Sequence, residues 1–174
     1  MLLLASPLAS GLVAPLSGHL SDRVGAKALT VVGLAIMLAS LGLMCLLGLG
    51  SKPGFVMACL ALFGLGSGVF GSPNTKLIMT HAPKDKLGIA GSINALARNV
   101  GMVSGIAFSV ALLDGSMSAR LGKPVNGFVP EHPEVFVYGM RVVFLSAAAL
   151  CVAAIGLTLA RALARERELP RERA

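Results

Sequence analysis

From Ala28 to Leu49 the chain reads ALTVVGLAIMLASLGLMCLLGL, without one charge or proline. A helix rises 1.5 Å per residue, so this stretch is long enough to cross a hydrocarbon core about 30 Å thick. Residues 55–73 form another apolar run that ends at Pro73. Residues 88–113 are interrupted only by Arg98, and residues 136–160 only by Arg141 near the start. In lipid, every backbone amide must find its partner inside the protein, and a helix satisfies them all within one segment. The pattern predicts an all-α membrane protein.

Residues 1–17 (MLLLASPLASGLVAPLS) are also uncharged and admit three readings. A signal peptide requires a basic region ahead of its apolar stretch, and none is present. A complete crossing is only just long enough. A crossing shortened at its N-terminus fits best, which gives five transmembrane helices in all.

The charges lie between these runs. Only 13% of residues are charged, against about 25% in a soluble domain. They gather at 18–27, at the turn Gly50–Gly54, at 74–87, at 114–135 and in the tail 161–174. Five crossings place ten Lys and Arg on one side (Arg23, Lys27, Lys76, Lys84, Lys86 and the five arginines of the tail) and four on the other (Lys52, Arg120, Lys123, Arg141). The richer side is expected to be cytoplasmic. The loops 18–27 and 74–87 and the tail then lie on the cytoplasmic side of the cell membrane, 114–135 is external, and the N-terminus is outside. The tail alternates Arg and Glu and reads as a helical extension or as a solvated end. The net charge of +7 does not point to nucleic acid, because aromatic content is 5% and no soluble domain remains to present a basic face.

Cys45, Cys59 and Cys151 each fall inside an apolar run, as small fillers rather than as a disulfide or zinc set. His19, His81 and His132 are scattered. No metal site, cofactor or nucleophile–base pair is read, and an enzyme is not expected.

One segment carries most of the functional information: Gly18, His19, Leu20, Ser21, Asp22, Arg23, Val24, Gly25, Ala26, Lys27. It resembles motif A of the major facilitator superfamily of transporters, Gly-x-Leu-(Ala/Ser)-Asp-Arg-x-Gly-(Arg/Lys)-(Arg/Lys). Ala26 departs from that pattern, where the family usually carries a base. In the family the motif is a cytoplasmic latch that favours the outward-facing state. The resemblance therefore implies a latch built of Gly18, Asp22, Arg23, Gly25 and Lys27. The residue types suit it: Gly18 lets helices approach closely, Asp22 can face a positive helix N-terminus, Arg23 and Lys27 can hold the anionic inner leaflet, and Gly25 permits a tight turn. The alternative is that Asp22 and Arg23 are ordinary loop charges.

The rest of the chain extends the likeness. A glycine-rich run (Gly64, Gly66, Gly68, Gly71) leads to Pro73 and Asn74, then come Gly88 and Gly91, then Arg98, Asn99, Gly101 and Gly105. This is similar to drug/proton antiporters of the fourteen-helix class (EmrB/QacA-like). Small residues also recur at every fourth position. Gly64 and Gly68 in one run, and Ala97, Gly101 and Gly105 in the next, are expected to be helix-packing surfaces, because close backbone approach replaces the hydrophobic drive in lipid.

Arg98 lies ten residues past Gly88, about 15 Å into its span. A charge at that depth costs roughly 2.5–3.5 kcal/mol or more and usually faces protein or a wet cavity. Arg98, with Asn94 and Asn99, lines a cavity or gate on one reading; on the other, Arg98 ties helices together through backbone carbonyls. The eight carboxylates fall in loops, span ends or the tail, so no proton site is read within a span. The functional expectation is the C-terminal part of a drug or metabolite efflux carrier, proton-coupled when complete, which meets an N-terminal half or another membrane subunit in the bilayer and moves a small molecule of unknown identity. The competing reading is a non-transporting membrane scaffold or inactive remnant of such a carrier.

Overall fold

The computed structural model describes residues 4–124 and 127–168, with side chains through 160. Five helices follow one another: α1 (Ala5–Val24), α2 (Ala26–Met44), α3 (Pro53–His81), α4 (Leu87–Leu121) and α5 (Pro133–Glu168), with a 3-10 turn at Lys84–Lys86 before α4. No strand occurs among the described residues.

The ends of the helices have local causes. Between α1 and α2 stands Gly25 with φ +95°, a backbone angle that L side chains rarely adopt. Pro53 opens α3, where a missing N–H costs nothing. Gly122, at φ +66°, closes α4 and donates its N–H to the Ser118 carbonyl at 2.9 Å.

The helices outlast the apolar runs that announced them. The stretch 18–27, expected as a loop, is helical through Val24 and breaks only at Gly25. The loop expected over 74–87 shrinks because α3 continues to His81. The external loop expected from 114 begins after Leu121, and α5 continues into the tail as far as Glu168. Residues 169–174 of that tail lie outside the described residues. The cause is physical: apolarity marks where lipid lies, while a helix can run on through polar residues, and α3 continues even past Pro73, where its apolar run ended.

Four segments are long and apolar enough to cross a bilayer: Ala26–Met44, Pro53–His81, Lys84–Leu121 and Pro133–Ala160. The chain is an all-α, multi-pass membrane protein. Helix α1 is not among those four; its second half carries Pro15, Ser17, His19, Ser21, Asp22 and Arg23, which lower its mean hydropathy.

Helix α3 is the centre of the bundle, with α1 and α2 packed on it. The contacts are backbone to backbone. A methyl group built on Gly64 would lie 2.2 Å from the Ser6 carbonyl oxygen, and one on Gly68 would lie 2.8 Å from that of Ser10. On the α2 side, a methyl group built on Gly33 would lie 2.6 Å from the Phe70 nitrogen, and one on Gly66 would lie 2.8 Å from the Met37 nitrogen. Ser40 donates to the Cys59 carbonyl at 2.8 Å. These pairings run α1 parallel to α3 and α2 antiparallel to it.

Leu41, Met44 and Cys59 form the core where Phe144, Ala147, Ala148 and Cys151 of α5 join. Helix α5 in turn carries α4, with Gly139 against Leu113 and the Arg120 guanidinium 4.3 Å above the Tyr138 ring. Helix α4 touches α3 only at an edge, and Met117 is its one buried residue.

Candidate functional site

The charged end of α1 is built on a stripe of small residues. Ser6, Ser10, Gly18 and Asp22 fall on every-fourth positions of α1, and Gly64, Gly68, Ser72 and Lys76 do the same on α3. Residues four apart share one helix face, so the two stripes meet along their length. Ser6 lies on Gly64 and Ser10 on Gly68, while a methyl at Gly18 would stand 3.3 Å from the Ser72 hydroxyl. Asp22 and Lys76 close the series as an ion pair. Beside them, Ser17 donates to the Val69 carbonyl at 2.9 Å, bonding the helices where lipid offers no substitute partner.

The Lys76 hydrogen bond, and then its charge, hold the Asp22 carboxyl below its ordinary value, with a smaller contribution from His19. Both side chains are largely exposed, so the pair contributes orientation more than stability. The sequence pointed Asp22 toward a helix N-terminus; its partner is an ammonium on a neighbouring helix. Lys76 was counted only as a loop charge, yet a signal was present, because it continues the spacing of Gly64, Gly68 and Ser72.

The other motif positions divide by burial. Ser21 is buried and its hydroxyl has no hydrogen-bond partner. A small residue is needed there for space, and its polarity is unused. Gly25 supplies the positive φ at the break between α1 and α2. Arg23 and Lys27 are exposed.

Arg98 stands on α4 beside a groove of about 640 Å³, lined from α1 by Ser10 and from α3 by Ser67, Ser72, Thr75 and Lys76. Asn94 is half-buried and Asn99 exposed, and neither lines that groove. A methyl group built on Gly91 would lie 3.7 Å from the Met79 methyl, and α3 and α4 run antiparallel, so the register brings Arg98 to the level of Ser72. The small-residue stripe of α4 behaves differently from that of α3. Ala97 is exposed, and methyl groups built on Gly101 or Gly105 would meet nothing within 4 Å. That face has no partner among the described residues.

The carboxylate Asp114, expected in a loop, is inside α4, half-buried, and accepts the Gly127 N–H at 3.0 Å. It lies about 40 Å along α4 from Leu87, farther than the thickness of a hydrocarbon core.

The Major Facilitator Superfamily profile matches residues 1–174. This chain belongs to that superfamily. Members of the Major Facilitator Superfamily are transporters, and the curated relatives agree. The chain is 33% identical over 153 residues to the riboflavin transporter RibZ of Clostridioides difficile, an alignment covering 88% of this chain and 32% of RibZ. It is 34% identical over 155 residues to the multi-drug resistance efflux pump PmrA homolog of Lactococcus lactis, covering 87% of this chain and 31% of that protein. With the multidrug resistance protein Stp of Mycobacterium tuberculosis it shares 30% identity over 131 residues, 75% of this chain and 24% of Stp. The chain spans about a third or less of the length of the curated relatives it matches.

Proposed function

We propose that this chain is the C-terminal helical bundle of a drug or metabolite efflux carrier that works with an N-terminal half and is proton-coupled when complete. The observation that carries the reading is Arg98. A cation about 16 Å from the start of the long apolar helix α4 borders an open groove, on a helix whose small-residue face no described residue covers. Alternating access needs such a face, because two bundles rock against one another around a site near the midplane. The relatives named for riboflavin transport and multidrug resistance support a small organic cargo.

Within that mechanism Asp22 is the latch residue and Lys76 its positioning partner within the bundle. Gly25 lets α1 and α2 move as separate rods. The basic ends of the helices lie in the cytoplasm, and the N-terminus lies outside. The coupling carboxylate belongs to the other half, since the described acids Asp22, Asp85, Asp114, Glu131 and Glu134 all sit toward helix ends or in connections. That same inventory is what favours the second reading, a scaffold without transport.

Co-expression with an N-terminal half, followed by dye efflux under an imposed pH gradient, decides between them. The carrier reading expects efflux above background that is lost when the gradient is collapsed. Background efflux from well-inserted, paired halves supports the scaffold.

A further inference from the structure

We infer that the groove between α1, α3 and α4 binds an amphipathic organic anion, and that Arg98 is the residue that selects it. That the anion is a transported cargo rests on the carrier reading; its binding does not.

Three features converge on the groove. First, Arg98 makes no hydrogen bond or ion pair among the described residues, although a guanidinium offers five N–H donors. Second, the remaining polar lining consists of hydroxyls and one ammonium: Ser10, Ser67, Ser72, Thr75 and Lys76. Lys76 is already paired with Asp22, so its charge is offset and that of Arg98 is not. Third, no carboxylate among the described residues lines the groove. Asp22 is engaged at its charged end, and Asp114 lies near the far end of α4. A cation entering here would meet Arg98 with nothing to offset it. An anion would neutralise the one uncompensated charge, through the paired N–H geometry that suits carboxylates, sulfonates and phosphates. Gly11, Ala14, Gly68, Gly71 and Met79 supply the apolar walls on which the body of such a molecule would rest.

The phosphate of an anionic lipid shares this chemistry with an organic carboxylate, and the test separates them. The full chain is reconstituted in nanodiscs of zwitterionic phosphatidylcholine. Equilibrium dialysis then compares a fluorescein-type anion with a rhodamine-type cation of the same ring system. The anion should bind about tenfold more tightly or better, the scale of a charge-assisted pair. R98Q should lower anion affinity by that factor and leave the cation unchanged or tighter. R98K, which keeps the charge without the fork, should retain part of the preference.

Repeating the titration with phosphatidylglycerol in the discs identifies the resident anion. Displacement of the dye assigns the groove to a lipid headgroup, and undisturbed binding assigns it to a soluble organic anion. Equal affinity of the wild-type chain for both dyes overturns the inference, as does a folded R98Q that binds the anion like wild type. Because no transport is read, an anion preference in a chain that supports no efflux would sink the carrier reading alone.

Discussion

Gly64→Ala is the sharpest perturbation of the bundle. The new methyl would lie 2.2 Å from the Ser6 carbonyl oxygen and 2.8 Å from the Ser6 Cα. Both are backbone atoms, so no rotamer change relieves the overlap, and α1 must move away from α3 by about 1 Å. A gap of that size forfeits a quarter to a half of each dispersion contact, at roughly 0.1–0.2 kcal/mol per atom pair. For on the order of 40 pairs along the stripe, the loss is about 1–4 kcal/mol, the scale of the usual cost of overpacking. Water adds no compensating drive in lipid, and the register of Ser10 on Gly68 and of Asp22 on Lys76 shifts with the same movement. The assay is reversible unfolding in mixed micelles with increasing dodecyl sulfate, followed by helical circular dichroism. Gly71→Ala is the control, because a methyl there meets nothing within 4 Å. A Gly64→Ala midpoint equal to that of Gly71→Ala would refute the close approach of α1 and α3.

Three further outcomes follow from the motif-A end. The Asp22 carboxyl is held below its ordinary value by Lys76, so its ion pair is complete above the unperturbed value near 3.8 and is lost only as pH falls through the depressed one. Amine-reactive labelling of Lys76 should therefore show no step from carboxylate titration between pH 5 and 8, and Asp22→Asn should raise that labelling several-fold at any pH in the range. Ser21→Ala should leave the unfolding midpoint within about 0.5 kcal/mol of wild type or raise it, because a buried hydroxyl without a partner contributes nothing in the folded state. A loss of more than 1.5 kcal/mol, on the scale of a broken buried hydrogen bond, would contradict this. Gly25→Ala should cost about 1–2 kcal/mol in the same titration, since alanine at φ +95° is strained whatever space surrounds it.

The membrane character was legible in the sequence because lipid excludes charge, and the charged motif was legible by its resemblance to a family pattern. The apolar runs located α2 to α5 but not their ends. Residues 18–24, 74–81 and 114–121 are polar enough to read as loops, yet they continue helices because nothing local stops them before Gly25, Ala82 and Gly122. Gly64 and Gly68 were legible as packing residues from their spacing alone. Ala97, Gly101 and Gly105 show the same spacing without a neighbour, so periodicity identifies a face and not its occupant. The spacing of Lys76 continues that of Gly64, Gly68 and Ser72, but its pairing with Asp22 depends on the parallel register of α1 and α3, which neither helix encodes alone. Arg98 was singled out by its depth, but the hydroxyl-lined groove beside it joins residues 10 to 98 across three helices and had no signature in any one of them.

The proposed carrier has helices that cross lipid with their basic ends inside. In a chain cleared of its three cysteines, single replacements Ala5→Cys, Ser51→Cys and Lys84→Cys are exposed to a membrane-impermeant maleimide on intact cells. The account predicts labelling at positions 5 and 51, and at position 84 only after the cells are opened. Labelling at position 84 on intact cells, or failure at position 51, would contradict it.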